Sequence, residues 1–190
     1  MSGLIAVSYF LIKLFFNLIL FVLWLRVALR YFRISTLHPV GQLVYRFTDP
    51  LVHPIERLIY PKNATLKRYD WITLVLIIVL ELFKFLIIGL LFYNSLLPLP
   101  YLILFALADS LIQLCDFLFY MILIRVIISW INPTRQHPVL DIIKVITDPL
   151  LELGRRIVPD ISGFDFSPFI IAIILKIFTL FIAASLPFHL

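Results

Sequence analysis

The chain has 190 residues, of which 63% are hydrophobic and only 14% are charged, and its mean hydropathy is +1.08. Soluble domains average roughly 45–50% apolar and about 25% charged residues, so this composition excludes an ordinary soluble domain and indicates an integral membrane protein. The net charge of +5 comes from basic residues that lie mostly beside apolar segments, which favours orientation in a membrane over nucleic-acid binding.

Four apolar stretches are long enough to cross a hydrocarbon core, which needs about 20 helical residues. They are predicted near residues 4–29, 71–93, 102–130 and 166–186. The first stretch has no positive residue before it, contains Lys13 and is followed by arginines. It is therefore not typical of a cleaved signal peptide and is predicted to be a retained helix.

Basic residues are concentrated in the two long connections that follow the first and third spans. They are Arg33, Arg46, Arg57, Lys62, Lys67, Arg68, Arg135, Lys144, Arg155 and Arg156. The loop at residues 94–100 carries none. Because short loops rich in Lys and Arg stay in the cytoplasm, both connections are predicted to be cytoplasmic, with both termini and the middle loop outside.

The two halves of the sequence agree when one is shifted by about a hundred positions. Arg26, His38-Pro39-Val40, Thr48-Asp49-Pro50-Leu51 and Arg57 then fall on Arg125, His137-Pro138-Val139, Thr147-Asp148-Pro149-Leu150 and Arg156. Agreement of rare residues in order and spacing predicts an internal repeat, with units at 1–97 and 98–190. Because each unit has two spans, the two helical hairpins are predicted to be parallel.

Each connection, at residues 38–60 and 137–159, shows the period of an amphipathic helix. Thr-Asp-Pro predicts that one short surface helix ends and another begins, with Asp49 or Asp148 as the cap and Pro50 or Pro149 in the first turn. Arginines near the end of the second helix favour the helix dipole and anionic headgroups.

Several polar residues lie within the predicted spans, where an ionisable group costs a few kcal/mol unless it is paired or hydrated. They are Lys13, Asn17, Glu81, Lys84, Asp109, Gln113, Asp116 and Lys176. The i, i+3 spacing of Glu81 and Lys84 predicts a pair within one helix. A network that joins Asp116 to Lys13 or Lys176 is also predicted. Two interpretations stay open: a polar pathway or partner-helix site, and a structural network between helices.

Arg26 and Arg125 near the ends of their spans also have two interpretations. They either reach lipid phosphate or form ion pairs with Asp49 and Asp148 that fold each connection against its span. Asp165 is predicted to cap the fourth span ahead of Pro168, and a catalytic pairing with Ser167 lacks a base. His38, His53 and His137 have no metal-ligand spacing, so no metal or cofactor is predicted.

One set of residues resembles the signature of the YggT family of small bacterial membrane proteins, which has chloroplast relatives. It comprises Arg125 to Trp130, Asp148-Pro149-Leu150-Leu151, Arg155-Arg156, Pro159 and Asp165 to Pro168. In the first half, Asp70 stands for Asp165 and Glu56-Arg57 for the arginine pair. The resemblance implies a bacterial inner-membrane protein without an established activity. Bacterial members are associated with osmotic stress tolerance or lie beside cell-division genes, and plastid relatives with cytochrome-complex assembly or organelle nucleoid distribution. The resemblance thus links the chain to osmotic stress tolerance and envelope homeostasis.

The sequence therefore predicts an all-α membrane protein with four transmembrane helices in two parallel tandem-repeat hairpins, each with a cytoplasmic amphipathic connection. The predicted function is a non-enzymatic interaction or assembly factor that contacts anionic headgroups and an unknown membrane protein, with no nucleic acid. Self-association is left open. The alternative is a small oligomeric ion transporter or channel component that uses the intramembrane charges.

Overall fold

The computed structural model describes residues 2–35, 37–59, 70–92, 98–131, 137–158 and 165–186. Within these ranges the chain forms six helices and no strand, which confirms the all-α class. The helices are α1 (Ser2–Tyr31), α2 (Pro39–Ile59), α3 (Trp71–Phe92), α4 (Leu99–Ile131), α5 (Pro138–Ile157) and α6 (Ser167–Ser185).

Four of these helices are long and apolar enough to cross a membrane: α1, α3, α4 and α6. Their most apolar windows have mean hydropathies between 2.2 and 2.8, and the four predicted spans are confirmed on length and composition. α4 has 33 residues, so it is about 50 Å long and exceeds a hydrocarbon core of roughly 30 Å. It must tilt or extend beyond the core.

α2 and α5 each run as one helix through the proline of Thr-Asp-Pro, Pro50 or Pro149, and α2 also contains Pro54. The predicted break at Thr-Asp-Pro, with separate helices at 51–59 and 150–158, is therefore wrong. An internal proline removes one backbone hydrogen bond, but both prolines lie on an exposed side. Asp49 and Asp148 are not caps, because each binds an arginine from the preceding span.

The spans pack as two hairpins that meet side by side. α1 contacts α3 and α2, α4 contacts α6 and α5, and the halves meet where α1 and α3 pack on α4. The main core joins Leu20 and Leu23 of α1, Ile77 of α3, Phe117 of α4 and Ile146 of α5. Because α2 and α5 touch each other, both connections lie on one side of the bundle, called here the connection side.

Gly154 allows α5 to approach α6 closely. A Cβ at this position would lie 2.9 Å from Ser167 Cβ and 3.0 Å from Ile171 Cγ1. Both of those neighbours are buried, so they have little room to move, and a larger residue here would force the two helices apart.

Gly154→Val should lower the free energy of unfolding by about 1–3 kcal/mol, because the added atoms overpack this contact. The measurement is the melting temperature of the purified protein in detergent micelles. Gly3→Val is the matched control, since nothing lies within 4 Å of a Cβ at Gly3. Equal melting temperatures for the two variants would contradict the tight α5 to α6 contact.

Candidate functional site

An arginine near the end of α1 joins three helices on the connection side. The side chain of Arg26 is 4% exposed, and its Nη1 donates to Thr48 Oγ1 and Asp49 Oδ1, both at 2.7 Å. Its Nε donates to Asp70 Oδ2 at 3.4 Å. The Thr48 hydroxyl in turn donates to the Val44 carbonyl at 2.8 Å. One buried guanidinium thus fixes α2 and the start of α3 to α1.

The second half repeats the contacts of the arginine with the threonine and the aspartate, and this set of contacts is called here the arginine clamp. Arg125 Nη1 donates to Thr147 Oγ1 and Asp148 Oδ1, both at 2.6 Å, and the Thr147 hydroxyl donates to the Ile143 carbonyl at 2.7 Å. The structure therefore contains both ion pairs of the second interpretation. The clamp is more open here, because the side chain of Arg125 is 20% exposed.

The two halves differ in how the aspartate before the next span is neutralised. Asp70 is 1% exposed and pairs with Arg26 and with Arg30, whose Nη1 lies 3.0 Å from Asp70 Oδ1. Asp165 accepts instead from Arg155 of α5, at 3.1 Å from Nε and 3.0 Å from Nη2. Asp70 is thus neutralised by two arginines of the preceding span, whereas the described partner of Asp165 is an arginine of the connection helix.

The sequence explains this difference, because the two halves have different residues at two equivalent positions. The predicted repeat aligns Arg30 with Ser129 and Glu56 with Arg155. Glu56 accepts a hydrogen bond from Arg30 at 3.3 Å. In the first half, Arg30 therefore lies between Glu56 and Asp70 and pairs with both. Ser129 is too short to replace Arg30, and Asp165 accepts instead from Arg155 of α5.

A cleft of about 350 Å³ opens at this place in the second half. Its lining includes Arg125, Ser129, Trp130, Asp165 and Phe169. Trp130 is 68% exposed and Phe169 is 45% exposed, and their rings are 6.4 Å apart. The cleft therefore combines a cation, an anion and two aromatic rings, and tryptophan is enriched at the boundary between lipid and water.

Asp165 also holds the start of α6, although not as predicted. Its Oδ1 accepts the Ser167 N–H at 2.9 Å, but the helix begins at Ser167 and Phe166 is the capping residue. The predicted cap is therefore displaced by one residue. Burial opposes ionisation, but hydrogen bonds from Ser167 and the guanidinium of Arg155 lower the pKa of Asp165 below its ordinary value.

The other predicted motif residues lie near the cleft or on the surface. Pro168 lines the cleft, and Arg57 and Arg156 are exposed near the ends of α2 and α5. Pro159 lies outside the described residues. Sequence reasoning missed Arg30 and Ser129; the signal for Arg30 was its position four residues after Arg26, which places both on one helix face.

Five of the predicted intramembrane residues form one network across three spans. Lys84 pairs with Glu81 Oε2 at 2.6 Å and with Asp109. Gln113 Nε2 donates to Asp109 Oδ2 at 3.4 Å and to Asn17 Oδ1 at 3.0 Å. Glu81 and Lys84 are almost fully buried between helices, whereas Asn17 at the other end of the network is exposed.

The other intramembrane charges lie apart from this network. Lys176 Nζ is 2.7 Å from Asp116 Oδ1, and their side chains are 40% and 32% exposed. The structure thus joins Asp116 to Lys176, one of the two cations that the sequence offered. The ammonium of Lys13 lies 4.6 Å from the centre of the Tyr9 ring.

The histidines have local roles. His137 Nδ1 accepts the Val139 N–H at 3.3 Å at the start of α5, and His53 lies 3.6 Å from Glu56. In the part of the chain that the structure describes, no group of three or more His, Cys, Asp or Glu residues could hold a metal ion.

Four apolar spans, clamped at one end by buried arginines, define a multi-pass α-helical membrane protein. A model of the CCB3/YggT family matches residues 5–91 and 104–186, so the chain belongs to the CCB3/YggT family, as its motifs predicted.

Similar proteins cover nearly the whole chain. A Vibrio alginolyticus protein, described as uncharacterized and in the proC 3′ region, is 31% identical over 165 residues, covering 86% of each chain. The YggT protein of Escherichia coli K12 is 26% identical over 177 residues, covering 93% of this chain and 89% of its own. Protein PA0392 of Pseudomonas aeruginosa is 27% identical over 190 residues. No solved structure shows a significant match.

Asp70→Ala should destabilise the protein more than Asp165→Ala does. The first change leaves a 4% exposed arginine short of one partner, and loss of a hydrogen bond to a charged group costs about 1.5–3 kcal/mol. The pair at Asp165 is 45% and 31% exposed, and such pairs contribute only about 0–1 kcal/mol. Each variant also loses one hydrogen bond from a backbone N–H to the aspartate at a helix start. This loss is common to both variants and does not affect their order. Melting temperatures in detergent test the order, and equal losses would contradict it.

Proposed function

We propose that this chain is a non-enzymatic interaction factor of the bacterial inner membrane, with its connection side in the cytoplasm. Its binding site is the cleft of the second half, and its ligand is the end of a transmembrane helix of a partner protein. The observation that carries the proposal is that the cleft is open beside Asp165, whereas the equivalent place beside Asp70 is filled by Arg30.

The first half supplies the chemistry of the proposed ligand. There, an arginine at the end of a span completes the neutralisation of an aspartate that a second arginine also contacts. A carboxylate can accept about four hydrogen bonds. The described donors to Asp165 leave Oδ1 with a single bond, from the Ser167 N–H. A Lys or Arg of a partner helix can therefore bind there as Arg30 binds Asp70.

Such partners are common in the inner membrane, because helix ends on the cytoplasmic side are rich in Lys and Arg. The exposed rings of Trp130 and Phe169 at the mouth of the cleft add apolar and cation-π contacts for the same side chain. Exposed Arg57 and Arg156 would hold the connection side against anionic headgroups at about 1 kcal/mol per charge.

Catalysis has little support among these residues. Ser167, the nucleophile next to Asp165 among the described residues, is fully buried, so a substrate could not reach it. We extend to this chain the family's link with osmotic stress tolerance and envelope homeostasis, with the bound membrane protein as the component that acts.

A photoreactive phenylalanine analogue at Trp130 should crosslink to a partner protein in native membranes. The same analogue at Tyr31, the first-half counterpart, is the matched control because it is also exposed but lies in the half where Arg30 already pairs with the equivalent aspartate, Asp70. Mass spectrometry identifies the products. Crosslinks of equal yield at both positions, or only to lipid at Trp130, would contradict the proposed site.

Transport is the second candidate, and the observation that favours it is the charged network at the centre of the spans. Its central residues, Glu81 and Lys84, are buried and paired, which suits a structural network better than a wet pathway.

Asp109→Asn separates these functions. If the network is structural, the change should lower the free energy of unfolding by about 1–3 kcal/mol through the lost charged contact. Proteoliposomes with the unchanged protein should then show no more proton or cation flux than empty liposomes. Flux through the unchanged protein that Asp109→Asn abolishes, with normal accumulation, would favour transport. Asp116→Asn is the control, since that residue lies outside the network.

A further inference from the structure

The two halves contact each other through different faces. The side of the first half that touches the second is called the front face, and it includes Asn17, Phe21 and Phe85. The side of the second half that receives it is called the back face. Gln113 donates a hydrogen bond to Asn17, the rings of Phe117 and Phe21 are 5.3 Å apart, and Phe85 lies in one buried cluster with Ala106.

The back face of the second half is a continuous stripe along α4 and α5. It consists of Ala106, Ser110, Gln113, Phe117, Ile142 and Ile146. In α4 the positions recur at intervals of four, three and four residues, which is one face of a helix. Ala106 is 0% exposed, Phe117 is 2% exposed and Ile146 is 2% exposed. Contact with the first half thus removes this stripe from lipid.

The first half carries an equivalent stripe that no described residue covers. The two matched family segments begin at residues 5 and 104, a shift of 99, so the equivalent positions are Val7, Leu11, Leu14, Leu18, Leu43 and Phe47. Val7 is 57% exposed, Leu18 is 59% exposed and Phe47 is 68% exposed. The back face of the first half is therefore apolar and open.

The front face of the second half is also open, and it is partly polar. The same shift gives Asp116 and Tyr120 on α4 from Asn17 and Phe21, and the shift of 95 between the segment ends at 91 and 186 gives Leu180 on α6 from Phe85. Lys176 of α6 joins this face through its ion pair with Asp116. Tyr120 is 46% exposed and Leu180 is 68% exposed. The ion pair of Asp116 and Lys176 is also partly exposed, although charged groups facing lipid cost a few kcal/mol.

We infer that a second copy of this chain binds head to tail, with its first-half back face on the second-half front face of its neighbour. The contact repeats the one already made inside the chain, with Leu18 on Tyr120 in place of Phe117 on Phe21. It removes an intramembrane ion pair from lipid. Helices in lipid associate through such packing and polar contacts, and a head-to-tail contact closes into a ring when its rotation allows.

Disulfide formation between two differently tagged copies tests this arrangement. Both copies carry Cys115→Ala, which removes the single natural cysteine. One also carries Leu18→Cys and the other Tyr120→Cys, so a disulfide can join only two chains. Mild oxidation in membranes should give a product of twice the 22.2 kDa chain mass that contains both tags. Leu18→Cys with Phe83→Cys is the control pair, because Phe83 is exposed but lies outside both faces.

Three results would overturn the inference. The first is a product of equal yield with the control pair. The second is a product only when both copies carry Leu18→Cys, which would mean a symmetric contact between two α1 helices. The third is a monomer in native mass spectrometry of the unchanged chain released from lipid nanodiscs, a measurement that does not depend on any variant. A tagged heterodimer together with an oligomer of the unchanged chain supports it.

Discussion

The fold depends on placing an arginine at the end of a membrane span and giving its charge a complete set of partners. Arg26 is nearly buried and binds a threonine, an aspartate on α2 and the aspartate before α3. A buried guanidinium without these acceptors would cost several kcal/mol. Its requirement for acceptors therefore fixes where the connection helix lies and where the next span begins.

The same requirement explains why the connection helices remain continuous. Asp49 and Asp148 would suit a helix start if their carboxylates were free for backbone N–H groups. The arginines of the preceding spans occupy these carboxylates, so the chain continues as a helix despite the proline. Both halves contain the arginine clamp, but they differ beside the next aspartate. Ser129 stands in place of Arg30 and leaves room for a ligand beside Asp165, whereas Arg30 fills the equivalent place beside Asp70.

Much of this architecture could be predicted from the sequence, because apolar length predicts spans and the repeated Arg, Thr-Asp-Pro and Asp residues predict the contacts at their ends. The uninterrupted α2 and α5 could not be predicted, since local capping rules do not include an arginine that lies 23 residues earlier. The cleft depends on which side chain reaches Asp165. The consequence of having Glu56 in one half and Arg155 at the equivalent position of the other can be seen only when the positions of both helices are known. The pairing of Asp116 with Lys176 was one of two alternatives that only packing could separate.

The most direct test of the account is whether this chain's own arginine can close the open cleft. Ser129→Arg places a guanidinium where Arg30 lies in the first half, and Ser129→Met adds similar length without charge. Partner capture by a photoreactive group at Trp130 is measured in both variants. The account predicts that capture is lost in Ser129→Arg and largely kept in Ser129→Met, with unchanged accumulation of both. Full capture by Ser129→Arg would contradict a partner that binds at Asp165.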